Sequence, residues 1–196
     1  MKPIVTFFGT QPYEQESFDA LNRDFGFEFR YFKGHLSRQT VVATHGAQAA
    51  CIFVNDTADA EVMRELARNG VRLLALRCAG YNNVDLEAAS ARGIVVMNTP
   101  GQNSNAVAEL ALAMMIFMAR NGFTPGTGSE IQGKTLGIHA YGNVGKLVAR
   151  YGKGFGMEVY AYDPFITDKA VYEKDGVIPV GSVEELYSKC DYVSVH

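Results

Sequence analysis

Between Gly128 and Gly145 the chain reads GSEIQGKTLGIHAYGNVG, and two nucleotide-binding patterns overlap in it. Gly128 to Thr135 fits G-x-x-x-x-G-K-[ST], the phosphate-loop spacing, with Lys134 in the lysine position. Ala140 to Gly145, AYGNVG, has the form of a dinucleotide fingerprint whose first glycine is an alanine. A phosphate loop needs a strand before the glycines and a helix beginning at the lysine, so that the helix N-terminus faces the phosphates. Here Gly128 follows a loop, and the run LGIHAY after Thr135 is strand-like. Lys134 therefore enters a strand and reads as a solvated turn residue.

The second pattern has the context its chemistry requires. TLGIHAY reads as a buried strand, GNVG as a turn, KLVARYGKGFG as a helix, and MEVYAYD as the next strand, closing on Asp163. From Gly145 to Asp163 is 163 − 145 = 18 residues, close to the roughly 20 that separate such a turn from the acidic residue on the adenosine ribose. In this reading Gly142 lets the backbone approach a pyrophosphate, and the amides of Asn143 and Val144 donate to it at the helix N-terminus. Gly145 lets the helix pack close to the strand, and Asp163 accepts from the ribose. Ala140 is tolerable in the tight turn if its φ stays negative. The plainer reading is an ordinary βαβ unit with a glycine turn.

Other reactive side chains are sparse. The three cysteines, Cys51, Cys78 and Cys190, lack paired metal spacing and read as reduced cytosolic thiols, with Cys78 buried and inert. His139 falls inside a strand and reads as a packed core residue. His35 and His45 sit in loop or helix-end contexts. Glu109 lies in an apolar helix and is expected to pair with a backbone group. Arg77 reads as a strand-end residue with a structural partner. No metal site is expected. A net charge of -3 without a basic run argues against a nucleic-acid partner. The longest apolar stretch, AVAELALAMMIFMA, carries Glu109 and falls short of the roughly 20 residues that span a bilayer. The N-terminal MKPIVTFFGTQPYEQE lacks a secretory pattern, so a cytoplasmic protein is expected.

These residues must be positioned by alternating strands and helices. IVTFF, FEFRYF, AACIFVN, VRLLALRC and IVVMN read as strands. EQESFDALNRDFG, SRQTVVATHG (with Ser37 as N-cap), DAEVMRELARNG and VDLEAASARG read as helices between them. Such alternation predicts an α/β fold with parallel sheets. A boundary is expected near NTPGQNSNA, dividing the chain into 1–98 and 99–196. A long helix over about 105–120 follows, capped by Asn103 or Ser104. Beyond the dinucleotide unit, SVEELYSKC reads as a helix and DYVSVH as a final strand, expected to present an exposed sheet edge.

On these motifs the chain resembles the D-isomer-specific 2-hydroxyacid dehydrogenases along essentially its whole length. CIFVND (Cys51 to Asp56) and LRCAGYNNVDL (Leu76 to Leu86) are similar to the fermentative D-lactate dehydrogenases. NTPGQNSNAVAEL (Asn98 to Leu110) and LGIHAYGNVG (Leu136 to Gly145) are more similar to the phosphoglycerate dehydrogenases. The resemblance implies a flavodoxin-like substrate domain, represented by its N-terminal part, then the first half of a Rossmann domain for NAD. It implies that Ala79, Gly80 and Tyr81 offer backbone N–H groups to the substrate carboxylate. A strand-to-helix turn that needs Gly80 would account for the glycine equally well. The implied activity is interconversion of a small D-2-hydroxy acid and its 2-keto acid, D-lactate and pyruvate first. 3-Phosphoglycerate is the alternative substrate, because lactate-type members usually carry a tyrosine at the position of Gln102. A non-catalytic NAD-binding sensor or interaction module is the reading of another class. The family's catalytic arginine, its histidine base and the carboxylate behind that base lie downstream of these residues. No residue of the chain is therefore given a catalytic role, His196 included. The chain reads as a fragment, inactive alone, of an enzyme expected to be a homodimer.

Overall fold

The computed structural model describes residues 2–196. They form two compact units, 2–102 and 103–196. In the first, β1 (Ile4–Phe7), α1 (Pro12–Phe25), β2 (Glu28–Tyr31), β3 (Ala49–Ile52), α2 (Ala60–Arg68), β4 (Leu73–Leu76), α3 (Leu86–Ala91) and β5 (Val95–Met97) follow in order. The sheet is parallel, with strand order β2-β1-β3-β4-β5, the flavodoxin-like order. β3 is buried along its whole length, which is why AACI carries no polar alternation. Its register sets Ala49 to Ile52 beside Leu73 to Leu76 of β4. Val62, Met63 and Leu66 of α2 close one face against Ile52, Leu74 and Leu76.

Local chemistry fixes the helix ends. Asp59 caps α2 by accepting from the amides of Glu61 and Val62 at 3.1 and 2.9 Å. Gly26 ends α1 in the left-handed region, φ 73°, and donates to the Asn22 carbonyl at 2.7 Å. The segment SRQTVVATHG forms only a 3₁₀ turn over Val41–Thr44, where a helix is expected from the sequence. The Ser37 amide bonds the Thr40 hydroxyl at 2.8 Å, and this local bond competes with a regular helix.

The second unit contains α4 (Ser104–Ala119), β6 (Thr135–His139), α5 (Asn143–Gly154), β7 (Glu158–Tyr162), α6 (Ala170–Glu173), β8 (Ile178–Pro179), α7 (Val183–Lys189) and β9 (Tyr192–Val195). Its parallel sheet runs β8-β7-β6-β9, which is 3-2-1-4 counted within the unit and matches the first four strands of the doubly wound order. α6 and β8 have no counterpart in the sequence reading. At four and two residues they are too short to show a period, and Pro179 suits only an edge strand.

The units divide four residues beyond the expected boundary (102 − 98), because the connecting segment is tied back to the first unit. Thr99 donates its amide to the Cys78 carbonyl at 3.1 Å, and Asn98 Nδ2 donates to the Ala79 carbonyl at 2.8 Å. Asn103 stands at the N-cap position of α4, but its side chain makes no capping bond.

Candidate functional site

After β6 the chain turns at Ala140, Tyr141 and Gly142 and enters α5 at Asn143. Ala140 takes φ 75°, in the left-handed region, contrary to the negative φ expected for a non-glycine residue there. Anchors on both sides impose it. The Ala140 amide donates to the Tyr162 carbonyl at 2.8 Å, and the Tyr141 amide donates to Asp163 Oδ2 at 2.8 Å. The Tyr141 ring is fully buried, with its hydroxyl on Asp175 Oδ2 at 2.9 Å; burial and this carboxylate push the phenol well above its ordinary range. The alanine methyl makes this turn cost about 1–2 kcal/mol more than glycine would.

The two fingerprint glycines do different things. At Gly145 an added Cβ would collide with the Ala140 carbonyl and meet Ile138 Cγ2 at 3.0 Å. Gly145 is therefore the close-packing point of α5 on β6. At Gly142, φ −81°, an added Cβ would meet nothing within 4 Å, so no internal contact requires a glycine there. Gly142 is the N-cap of α5 and supplies no side-chain cap. Among the described residues, nothing accepts from the amides of Asn143, Val144 or Gly145. The helix thus begins with free donors and the positive end of its dipole at an exposed glycine. Asp163, at the end of β7, accepts from the amides of Tyr141 and Phe165, the latter at 2.9 Å. Its two oxygens have capacity for further donors. Lys134 lies next to β6, and no helix begins at it, so the phosphate-loop spacing is accidental.

In the first unit, residues 77–85 join β4 to α3. Arg77 at their start is nearly buried. Its guanidinium bonds Glu14 Oε1 at 3.0 Å, the Phe8 carbonyl at 3.0 Å and the Cys51 carbonyl at 3.3 Å. Glu14 also accepts the Gln11 amide at 2.8 Å, so one carboxylate joins the start of α1 to the end of β4. Cys51 beside Arg77 is buried, and that burial pushes its thiol up to about 11. Cys78 donates its thiol to the Gly80 carbonyl at 3.2 Å; burial raises its pKa, so the inert reading fits.

Ala79, Gly80 and Tyr81 are exposed. Among the described residues, nothing accepts from their three amides. Gly80 is outside the left-handed region, and an added Cβ would meet nothing within 4 Å. The turn itself therefore does not need this glycine, against one of the two readings from sequence.

The remaining side chains are placed as follows. His139 is only half-buried, and its Nδ1 meets the Tyr187 hydroxyl at 2.9 Å, so it is a hydrogen-bonded strand-end residue and not core. His35 lies 3.6 Å from the buried carboxylate of Asp56, which accepts the Leu36 and Phe53 amides at 2.5 and 2.6 Å. His196 Nε2 meets Ser194 Oγ at 2.9 Å. Glu109 accepts from the Asn105 side chain at 2.9 Å, in place of the expected backbone group. Among the described residues there is no cluster of ligands for a metal, and no helix is long and apolar enough to cross a membrane. Asn98 and Thr99, which brace the 79–81 loop, escaped the sequence reading. The only signal was an asparagine just before a Thr-Pro break.

A parallel βαβ unit with free amides at an open glycine and a carboxylate closing its second strand defines half of a dinucleotide-binding domain. The chain belongs to the D-isomer specific 2-hydroxyacid dehydrogenase family, whose catalytic-domain model matches residues 5–178. It is 37% identical to 2-hydroxyacid dehydrogenase homolog 1 of Schizosaccharomyces pombe, over 98% of this chain and 61% of the relative. It is 37% identical to the D-lactate dehydrogenase of Escherichia coli, over 96% of this chain and 60% of that protein. The NAD+-bound 3-phosphoglycerate dehydrogenase of Entamoeba histolytica superposes with a TM-score of 0.83 at 33% identity, covering 100% of this chain and 63% of that one. The chain thus spans about 60% of the length of the relatives it matches.

Proposed function

We propose that these residues carry the substrate loop and the first half of the cofactor site of an NAD-dependent dehydrogenase. The reaction interconverts a small D-2-hydroxy acid and its 2-keto acid, D-lactate and pyruvate. The observation that carries the proposal is the run of three exposed residues, Ala79, Gly80 and Tyr81, whose amides have no acceptor among the described residues, with open space where Gly80 lacks a side chain. Successive amides of this kind form a concavity that holds a carboxylate. The amides of Asn143 and Val144 hold the NAD pyrophosphate at the start of α5, which Gly142 leaves open to close approach. Asp163 accepts from the adenosine ribose and disfavours a 2′-phosphate. When bound, NAD supplies or accepts the hydride at C2. The chain's own part is to hold the carboxylate, orient the carbon that reacts, and select the cofactor.

Pyruvate is favoured over a phosphorylated substrate by one observation. Arg77, the basic residue adjoining the loop, already has its guanidinium on Glu14 and two carbonyls, and so cannot reach out to a phosphate. The likeness to phosphoglycerate dehydrogenases and the absence of an aromatic residue at Gln102 support the other substrate. Steady-state rates of the natural protein with NADH and either pyruvate or phosphohydroxypyruvate separate the two. Higher kcat/KM with phosphohydroxypyruvate would remove pyruvate as the substrate. No catalytic residue is assigned within 1–196, and a polypeptide of these residues alone is expected to give no turnover in the same assay. The free cysteines are in keeping with a cytoplasmic enzyme. The exposed Leu110, Met114, Phe117 and Met118 of α4 are in keeping with a homodimer, which sedimentation would test.

A further inference from the structure

The tripeptide Arg-Asn-Gly occurs twice, at Arg68 to Gly70 and at Arg120 to Gly122, each time at the C-terminal end of a helix. An asparagine followed by glycine can react with its own backbone. The deprotonated glycine amide attacks the asparagine side-chain carbon, and a new N–C bond closes a five-membered succinimide. The bond from that carbon to the side-chain nitrogen breaks, and ammonia leaves. Water then opens the ring at either carbonyl, giving aspartate or isoaspartate. Glycine has no Cβ to hinder the approach. The closure needs the glycine nitrogen to swing toward the side-chain carbon, so it is governed by what resists that swing.

The fold treats the two copies differently. At the end of α2, Asn69 Nδ2 donates to the Val41 carbonyl at 3.0 Å and to the fully buried Thr44 hydroxyl at 2.9 Å. The Asn69 carbonyl accepts the Gly46 amide at 3.0 Å, and the attacking group, the Gly70 amide, donates to the Ala67 carbonyl at 3.2 Å. Side chain, carbonyl and nucleophile are all held, partly by residues distant in sequence. After α4 the opposite holds. Asn121 is exposed, and its bonds run only to Thr124: Nδ2 to the hydroxyl at 3.2 Å, and its carbonyl from the amide at 3.2 Å and the hydroxyl at 2.6 Å. Among the described residues, nothing accepts from the Gly122 amide. Asn121, Gly122 and Phe123 lie in succession at φ 51°, 65° and 59°. Two of these left-handed residues carry a Cβ, so the turn sits in a strained state and gains backbone energy on leaving it.

We propose that Asn121 is a site of spontaneous self-modification, converted through its succinimide to aspartate and isoaspartate, while Asn69 is protected by its side-chain and backbone bonds. Either product places a carboxylate at the negative end of α4, and isoaspartate adds one carbon to the backbone there.

The test incubates the natural protein in mildly alkaline buffer, quenches samples in acid, and follows both sites by peptide mass spectrometry. Asn121 should convert about 10-fold or more faster than Asn69, which reacts only through a local opening. In concentrated urea the shared tripeptide sets the rate, and the two sites should convert alike. Equal rates in the folded protein, or no conversion at Asn121 where the urea sample converts, would overturn the proposal. So would a ratio in urea as large as in the folded protein, since the fold would then play no part. A second variant probes the protection. Thr44→Val removes one acceptor of Asn69 Nδ2 and should speed conversion at Asn69 by about 2- to 10-fold, with Asn121 unchanged. An unchanged rate at Asn69 in the folded variant would remove that bond as its protection.

Discussion

After β4 the chain takes nine residues (77–85) to reach α3, whereas after β6 it takes three (140–142) to reach α5. Both connections lead to amides without acceptors among the described residues, and they do so by different means. The long one fixes its peptide planes from behind, through Asn98, Thr99 and Cys78. The short one needs no such braces, because its free donors are the first turn of a helix and are aimed by helical geometry. The contrast extends to the glycines. Gly145 is required by the protein's own packing, while Gly80 and Gly142 face open space. A glycine that nothing inside the fold demands points to something outside it.

The largest effect that could break this contrast is at Gly145. Gly145→Val should destabilise the second unit by about 3 kcal/mol or more, since a Cβ there strikes backbone. Gly142→Ala should stay within about 0.5 kcal/mol of wild type, as at an unconstrained surface position. Thermal denaturation of the two variants side by side would show it, and equal stabilities would erase the distinction. Gly80→Val comes next. It should fold with an unchanged Tm, because the turn is not strained, yet raise the KM for pyruvate by about 10-fold or more through crowding. A lowered Tm with unchanged KM would reverse the assignment of that glycine.

Asp163→Ala should narrow the preference for NADH over NADPH by about 10-fold, measured as a ratio of kcat/KM values. It should also lose about 1 kcal/mol of stability, because the Tyr141 and Phe165 amides lose their acceptor. A stability loss with no change in cofactor preference would leave Asp163 as a turn residue only. The smallest effect is a gain. Ala140→Gly should stabilise the protein by about 1 kcal/mol by removing the methyl from a left-handed residue, visible as a rise of roughly 2–4 °C in Tm. A lower Tm would mean that the lost methyl contacts outweigh the relieved backbone.

The short connection was legible in the sequence and the long one much less so. The βαβ unit announces itself through local features: an apolar strand, two glycines at fixed spacing, a helix, and an acidic residue ending the next strand. Nothing local marks the braces of the 79–81 loop, since Asn98 and Thr99 lie about twenty residues further on and meet it only through the pairing of β4 with β5. The backbone state of Ala140 was hidden for a related reason. Alanine by itself argues for negative φ, and only the two anchors from β7 override it. His139 was misjudged because a strand pattern marks burial along a strand but not where the sheet ends. α6 and β8 were lost to length. Both sheet orders follow from the alternation of strands and helices once the family resemblance selects among parallel topologies.

The pinned loop has a consequence for how its motion would be measured. Its amides are fixed in direction but have no acceptor among the described residues, and the loop is exposed, so solvent protons can reach them without any opening of the structure. Hydrogen exchange should therefore report residues 79–81 as among the fastest in the first unit, as if they were a floppy surface loop. Nanosecond order parameters should report the same residues as rigid. Disagreement between the two measurements at these three positions, and its collapse into slow exchange when a carboxylate binds, would be the signature of donors held ready for an anion.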